Sequence, residues 1–182
     1  MKQLALALAV TSAFALAIPI SPAVASIETY EAKAEASDAV AMARLQMEEV
    51  FGDKQIKAGQ YLWRKGSFEG DPRVVISIAD QLAFLFRGDQ LVAVSSISTG
   101  RETNPTPTGI FSILQKKPMH RSIKYENAPM PFMQQIDQYG IALHAGHNPG
   151  YPASHGCIRL PADFAKKLYA VTDLGATVMI GA

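Results

Sequence analysis

The stretch Leu143 to Pro161, LHAGHNPGYPASHGCIRLP, holds three of the chain's four histidines and its only cysteine. A thiol attacks as its thiolate, and an ordinary cysteine is mostly protonated at neutral pH, so an enzyme that uses one supplies a base or a cationic partner. Cys157 has three imidazoles as candidates for that partner. His155, two residues away, points the same way as the thiol in an extended segment, yet neighbours so close in sequence seldom meet in attacking geometry. His144 ends the apolar run GIALH, and a loop with prolines and glycines returns the chain to Cys157. That arrangement suits an imidazole on a rigid strand placed beside a thiol on the next element. His147 falls inside the loop and reads as solvated.

Two other readings compete. Cysteine and histidine are usual zinc ligands, but the spacing of His144, His147 and Cys157 matches no closed structural set, and a metal-bound sulfur is not free to attack, so no metal is expected. A lone cysteine also serves as a small buried hydrophobe. The helix expected to begin near Pro161 adds one further argument: a thiol near a helix start gains from the positive end of the backbone dipole.

The elements that must position these groups are mostly strands. RVVISI, LAFLFR and LVAVSSIST, separated by ADQ and GDQ, are dense in β-branched and aromatic residues and predict a β-meander with one face building the core. GRETNPTPTG is a turn-rich loop leading into a strand, IFSILQK. KPMHRSIKYENAPMPFMQQIDQYG reads as a long irregular segment, in which Met130, Phe132 and Met133 either cover a cleft or pin the loop by apolar contacts. After Pro161, Phe164, Leu168 and Val171 recur at helical spacing with Lys166 and Lys167 facing water, and GATVMI closes the chain as a strand.

Upstream, Ile27 to Phe51 is rich in helix formers and lacks Gly and Pro, which predicts a helix whose apolar residues Val40, Met47 and Phe51, with Leu45 beside them, form a weak stripe. It reads as an arm that packs on the domain or spaces it from a membrane or wall. GDKQIKAGQYLWRKGSFEGDP then reads as a linker. The first residues, from Lys2 through an apolar run to Ala23, Val24 and Ala25, predict a secretory signal peptide cut after Ala25; an uncleaved anchor is disfavoured by Pro19 and Pro22. With no cysteine near the leader, lipid attachment there is excluded.

Removing residues 1–25 takes one charge, Lys2, from seventeen basic against sixteen acidic side chains and leaves the two in balance. A neutral chain gives no electrostatic case for nucleic acid. A single cysteine allows no internal disulfide, so an exported chain that keeps one unpaired thiol needs a reason for it.

HAGHNPGYPASHGCIRLP resembles the signature of the L,D-transpeptidase catalytic domain family of YkuD type, a histidine followed through a loop by a Ser/Thr-His-Gly-Cys core. The hairpins, the Ser/Thr-Gly turn and the TPTGIF strand upstream resemble the family's opening, and the likeness covers roughly 73–182. Arg159 stands where the family's motif often has asparagine, and the loop from His144 to Ser154 is shorter than in many members.

The resemblance implies a mainly β domain of mixed sandwich or open-barrel type, with a short C-terminal helix and the N-terminal helical arm. Residues 1–25 would be leader, 26–72 arm and linker, and 73–182 the catalytic domain. It implies Cys157 as nucleophile and His144 as proton donor and acceptor, with the Ala145 carbonyl orienting the ring. Amides around Gly156 and Cys157 would form an oxyanion hole, and Ser154, His155 and Arg159 would hold the loop or a substrate carboxylate. No cofactor is implied. The partners implied are peptidoglycan stem peptides, donor and amine acceptor, in the periplasm or cell wall space. A related carboxypeptidase or wall-trimming hydrolase, and a non-catalytic wall-binding protein, are the alternatives.

Overall fold

The computed structural model describes residues 26–182; the expected signal peptide, 1–25, lies outside the described residues. Among the described residues no helix is long and apolar enough to cross a membrane. The meander forms as expected: β3 (Pro72–Ser77), β4 (Leu82–Arg87) and β5 (Gln90–Ser96) pair antiparallel in sequence order. They belong to a seven-stranded sheet ordered β1-β6-β11-β3-β4-β5-β2, with β1 at Ser26–Ile27, β2 at Tyr61–Trp63, β6 at Gly109–Ser112 and β11 at Thr177–Gly181. A second, four-stranded sheet runs β10-β9-β8-β7, from Ile158–Leu160, Ala142–Ala145, Ala128–Gln135 and Gln115–Ser122.

Both faces of the large sheet are covered, not one. On the inner face Val74, Ile76, Leu85, Val178 and Ile180 meet Leu143 and Ile158 of the small sheet and Phe164 and Leu168 of helix α2 (Ala162–Val171). On the outer face Val75, Phe84, Phe86, Val94 and Met179 meet helix α1 (Tyr30–Phe51). The helical arm therefore packs on the domain. Its seam is Ala32, Ala36, Val40 and Ala43, all buried, while Leu45 faces solvent. Small residues suit that seam because the backbones approach closely: a Cβ on Gly181 of β11 would lie 2.9 Å from the Ala36 carbonyl oxygen and 2.9 Å from Val40 Cγ2. The side chain of Thr29 accepts from the Ala32 amide at the helix start, three residues later than the composition places it.

The structure corrects three further expectations. The linker contains β2, whose Tyr61 and Trp63 rings pack on Phe164, so this stretch is part of the fold. IFSILQK divides between β6 and β7, strands of different sheets, with Ile113 buried between them. The long segment expected to be irregular is a hairpin of β7 and β8. Its prolines are tolerated because β9 pairs with β8 only at Gln134 and Gln135, leaving a free edge beyond them. Phe132 adopts φ +56°, and this break in the pleat sends its ring toward Tyr169 while Met130 and Met133 share the other side.

Candidate active site

His144 sits on β9 and Arg159 on β10, parallel neighbours in which these two residues pair in register. The loop between them leaves the sheet after Ala145 and returns through Ser154 and Gly156 to Cys157, the residue before β10. A cleft of about 1050 Å³ opens there, walled by the β7–β8 hairpin on one side and by the loop on the other. His144 and Cys157 both line it, as do His120, His147 and His155, so all four histidines of the chain face one cavity. Among the described residues no three His, Cys, Asp or Glu side chains converge as a metal-ligating set.

The imidazole of His144 is buried, and its Nδ1 lies 2.8 Å from the Ala145 carbonyl oxygen. A carbonyl only accepts, so Nδ1 carries the hydrogen and Nε2 is left with its lone pair. Burial lowers the His144 pKa; the Ala145 carbonyl opposes this, and the charges of Arg159 and His120 add to it. Cys157 packs against Met130, Met133 and Ala142, and its thiol donates to the Gly140 carbonyl at 3.7 Å. Burial raises the thiol pKa, with Asp137 adding to the rise, while the Ala142 amide and Arg159 act against it. Both shifts favour a resting pair of neutral thiol and neutral imidazole. The helix start gives no help to a thiolate here, because all of β10 separates Cys157 from α2.

The turn that carries the sulfur is tied at Ser154, Gly156 and Cys157. Ser154, fully buried, donates from Oγ to the Cys157 carbonyl at 2.5 Å and accepts the Gly156 amide at 3.1 Å. The Gly156 amide, expected at the oxyanion hole, donates to Ser154 in this structure. The Gly156 carbonyl accepts from Thr106 Oγ1 at 2.8 Å, and Thr106 in turn accepts the Gly100 amide at 2.8 Å. Gly156 has φ +110°, and a Cβ there would come within 2.6 Å of Ile141 Cδ1. The backbone conformation favours glycine, whereas the Ile141 methyl is the far end of a flexible side chain that can give way.

The end of the meander holds the other flank. Ser98 and Arg159 exchange backbone hydrogen bonds at 3.0 and 2.9 Å, and the Ser154 amide donates to Thr99. Buried Gln81 bonds Thr99 through both its amide ends. Of Thr106, Ser98, Thr99 and Gln81, the sequence signals the first three only through the Thr-Pro pattern and the Ser/Thr-Gly turn, and Gln81 not at all.

The remaining candidates separate. Arg159 lines the cleft with its charge acting on both His144 and Cys157, and the Ala145 carbonyl orients the ring. His155 turns from the thiol to the hairpin tip, where it stacks on Tyr125 with centroids 4.5 Å apart. His147 is exposed at the mouth. His120, on β7, was missed because its segment was read as irregular.

Known proteins share this fold. A Bacillus licheniformis protein whose name, L,D-transpeptidase YkuD, is itself provisional is 26% identical over 162 residues, covering 84% of this chain and 93% of its own. Solved structures agree in fold: an L,D-transpeptidase from Mycobacterium smegmatis (TM-score 0.58, 20% identity, 62% of this chain and 59% of that one) and one from Stackebrandtia nassauensis (0.57, 24%, 76% and 63%). L,D-transpeptidase 3 from Mycobacterium tuberculosis, in complex with a faropenem-derived adduct, aligns with TM-score 0.55, 22% identity and 61% of each chain. This chain thus spans about three fifths of the length of those structures. A family model described as the L,D-transpeptidase catalytic domain matches residues 71–180, the span holding both sheets' central strands and the whole cleft wall around Cys157, and by that match the chain belongs to the YkuD family of L,D-transpeptidase catalytic domains.

Proposed function

We propose that this protein is an exported peptidoglycan L,D-transpeptidase working through a Cys157 acyl-enzyme. The observation that carries the reading is that the chain's one thiol and a buried imidazole whose Nδ1 is held by the Ala145 carbonyl line the same cleft. A fixed tautomer leaves Nε2 as the only nitrogen able to accept a proton.

The donor is a stem tetrapeptide whose penultimate carbonyl, on the L-centre of a diamino acid, is attacked by the sulfur. His144 takes the thiol proton as the S–C bond forms, and the Cys157 amide is the remaining candidate to meet the oxyanion, since Gly156's donates to Ser154. The imidazolium then protonates the departing D-alanine amine, and a thioester is left. An acceptor amine attacks the thioester, gives its proton to His144, and the sulfur leaves and is reprotonated, which completes a crosslink or a protein attachment. Water in place of the amine gives carboxypeptidase action from the same intermediate. The neutral resting pair suits this sequence because proton transfer and attack occur together and the cysteine is not held as a reactive thiolate between turnovers.

Export rests on the leader-like first residues, with the mature chain working in the periplasm or wall space. The deciding experiment is incubation of the purified protein with a disaccharide tetrapeptide, followed by mass spectrometry of protein and products. A thioester on Cys157 with dimer formed supports the reading. Shortened monomer without dimer moves it to the hydrolase, and no adduct, with activity unchanged in Cys157→Ala, overturns it.

A further inference from the structure

The loop between His144 and Cys157 has two limbs, held by different parts of the fold. The inner limb belongs to the end of the meander: Ser98 Oγ donates to the Tyr151 carbonyl at 2.7 Å, and the Ala153 and Ser154 amides both donate to the Thr99 carbonyl at 3.0 Å. The outer limb, Gly146 to Gly150, is held from the stretch between α1 and β2. There Gln60 closes a turn on Lys57, its amide donating to the Lys57 carbonyl at 3.0 Å and its Oε1 accepting the Lys57 amide at 3.2 Å. The Gln60 carbonyl in turn accepts the amide and the hydroxyl of Ser96, at 3.0 and 3.1 Å.

Ser96 carries the tie across to the loop. Buried at the end of β5, its hydroxyl accepts from Asn148 Nδ2 at 3.1 Å, while Asn148 Oδ1 accepts the Gly150 amide at 3.0 Å. An amide side chain suits this place, because it must donate at one end and accept at the other. Beside the tie the loop meets the turn directly: a Cβ on Gly150 would lie 3.0 Å from Ala58 Cβ. Two residues before Asn148, the Gly146 backbone lies against the His144 ring, where a Cβ would sit 3.3 Å from His144 Cε1 and 3.2 Å from Arg159 Cγ. The Gly146 amide donates to the Leu160 carbonyl at 3.1 Å, so the cover over the imidazole is held between the end of the β9–β10 pairing and Asn148.

We propose that Ser96 and Asn148 are positioning residues which, with the Lys57–Gln60 turn, hold the outer limb closed over the His144 ring. The turn lies outside the span that the family model matches, so this cover depends on the chain's own N-terminal segment. The proposal rests on the function proposed above for the role of His144, and not for the tie itself. Burial is the first cause of the lowered His144 pKa. The groups that face the ring are the Ala145 carbonyl on β9, Arg159 on β10 and His120 on β7, with the Cys157 thiol in the same cleft and His147 on the limb. The side chains of Ser96 and Asn148 are uncharged, so cutting the tie alters the ring's exposure without adding or removing a charge. A loosened limb admits water, and the ring's pKa should rise toward the ordinary 6.5.

The test follows the His144 ring by NMR titration of the full mature-length protein, its signal identified by its absence from His144→Ala. Ser96→Ala and Asn148→Ala should each raise the midpoint toward 6.5, and Ser96→Thr, which keeps the hydroxyl, should restore it. Ser95 is the control: it is buried beside Ser96 and its hydroxyl donates to the Ser96 carbonyl at 3.0 Å. Ser95→Ala should cost stability as the loss of a buried hydrogen bond does, and leave the midpoint in place. A midpoint unmoved in both Ser96→Ala and Asn148→Ala, or an equal rise in Ser95→Ala, overturns the proposal. Acylation by a stem tetrapeptide is measured separately, and the two variants should lose more of their rate below pH 6.5 than above it, as a ring protonated at higher pH accepts no proton. Failure of the transpeptidase reading shows as absent acylation, whereas the ring's titration reports on the tie in either case.

Discussion

Ser154 holds Cys157 by its backbone: the hydroxyl donates to the Cys157 carbonyl at 2.5 Å while accepting the Gly156 amide at 3.1 Å. One buried side chain thus fixes the peptide plane that follows the sulfur's Cα and the one that precedes Gly156, while Thr106 holds the plane between them through the Gly156 carbonyl. Ser154→Ala leaves a buried amide and carbonyl short of a partner, which costs about 1–3 kcal/mol. The sulfur, freed from its fixed position, should acylate about tenfold or more slowly, as misplacement by a fraction of an ångström suffices for such losses. Thermal unfolding and single-turnover acylation measured on one preparation check both effects. Ser154→Thr keeps the hydroxyl and should recover part of the rate.

His144→Ala removes the one imidazole with a fixed tautomer in the cleft, and acylation of Cys157 should fall by at least ~100-fold, the usual worth of a general base. His147, exposed at the mouth with no tie to the turn, is the control: His147→Ala should leave the acylation rate within about twofold, in the range of substitutions away from the reacting atoms. A rate lost equally in both variants would remove His144 from its assigned role.

The pH dependence follows from the two shifts. Burial lowers the His144 pKa, so the neutral, proton-accepting ring persists below the ordinary 6.5, and the acid limb of the acylation profile should fall below that value. Burial raises the Cys157 pKa above the ordinary 9.0, so simple alkylation by iodoacetamide, which needs thiolate, should be slow at neutral pH and rise only above 9.0. The two profiles together separate a neutral pair from a thiolate–imidazolium pair. The latter would show fast alkylation at neutral pH.

Much of this was legible in the sequence because period and chemistry coincide there. The meander shows as three apolar runs with short turns, and Cys157, His144 and the Ala145 carbonyl lie within one stretch. What was hidden depends on contacts distant along the chain. Thr106 reaches Gly156 across fifty positions and Gln81 reaches Thr99 across eighteen, so neither contact can be read from local spacing. The hairpin was hidden by its own prolines, which signal a break although a free sheet edge accommodates them. Its misreading also hid His120 and the convergence of Lys124 and Tyr125 on the loop.

Gly156 is confined by both conformation and space, and the two are separable. Gly156→Ala places a Cβ 2.6 Å from Ile141 Cδ1 at φ +110°, and should cost about 1–3 kcal/mol for the backbone, with a smaller addition for displacing the flexible Ile141 side chain. Adding Ile141→Ala relieves the clash but not the backbone. The double variant should therefore unfold at a higher temperature than Gly156→Ala alone while acylating no faster, because the turn that aims the sulfur stays distorted. Recovery of both together would mean that space alone required glycine.

Helix α1 bears on where the catalytic domain begins. A boundary at residue 73 would discard α1 and β2, exposing Phe84, Phe86 and Val94 on the outer face and unpairing the β5 edge. The family match at 71–180 excludes the same elements, so on this chain the match is shorter than the folding unit. A fragment of residues 73–182 should consequently aggregate or bind a hydrophobic dye, whereas residues 26–182 should unfold cooperatively. Within the longer chain, Ala36→Leu should lower stability by about 1–3 kcal/mol, since Gly181 leaves no room for a larger side chain at that crossing. Leu45→Ala, on the exposed side of the same helix, should change stability by less than about 0.5 kcal/mol. Similar losses at both positions, or a well-folded 73–182 fragment, would place α1 outside the core.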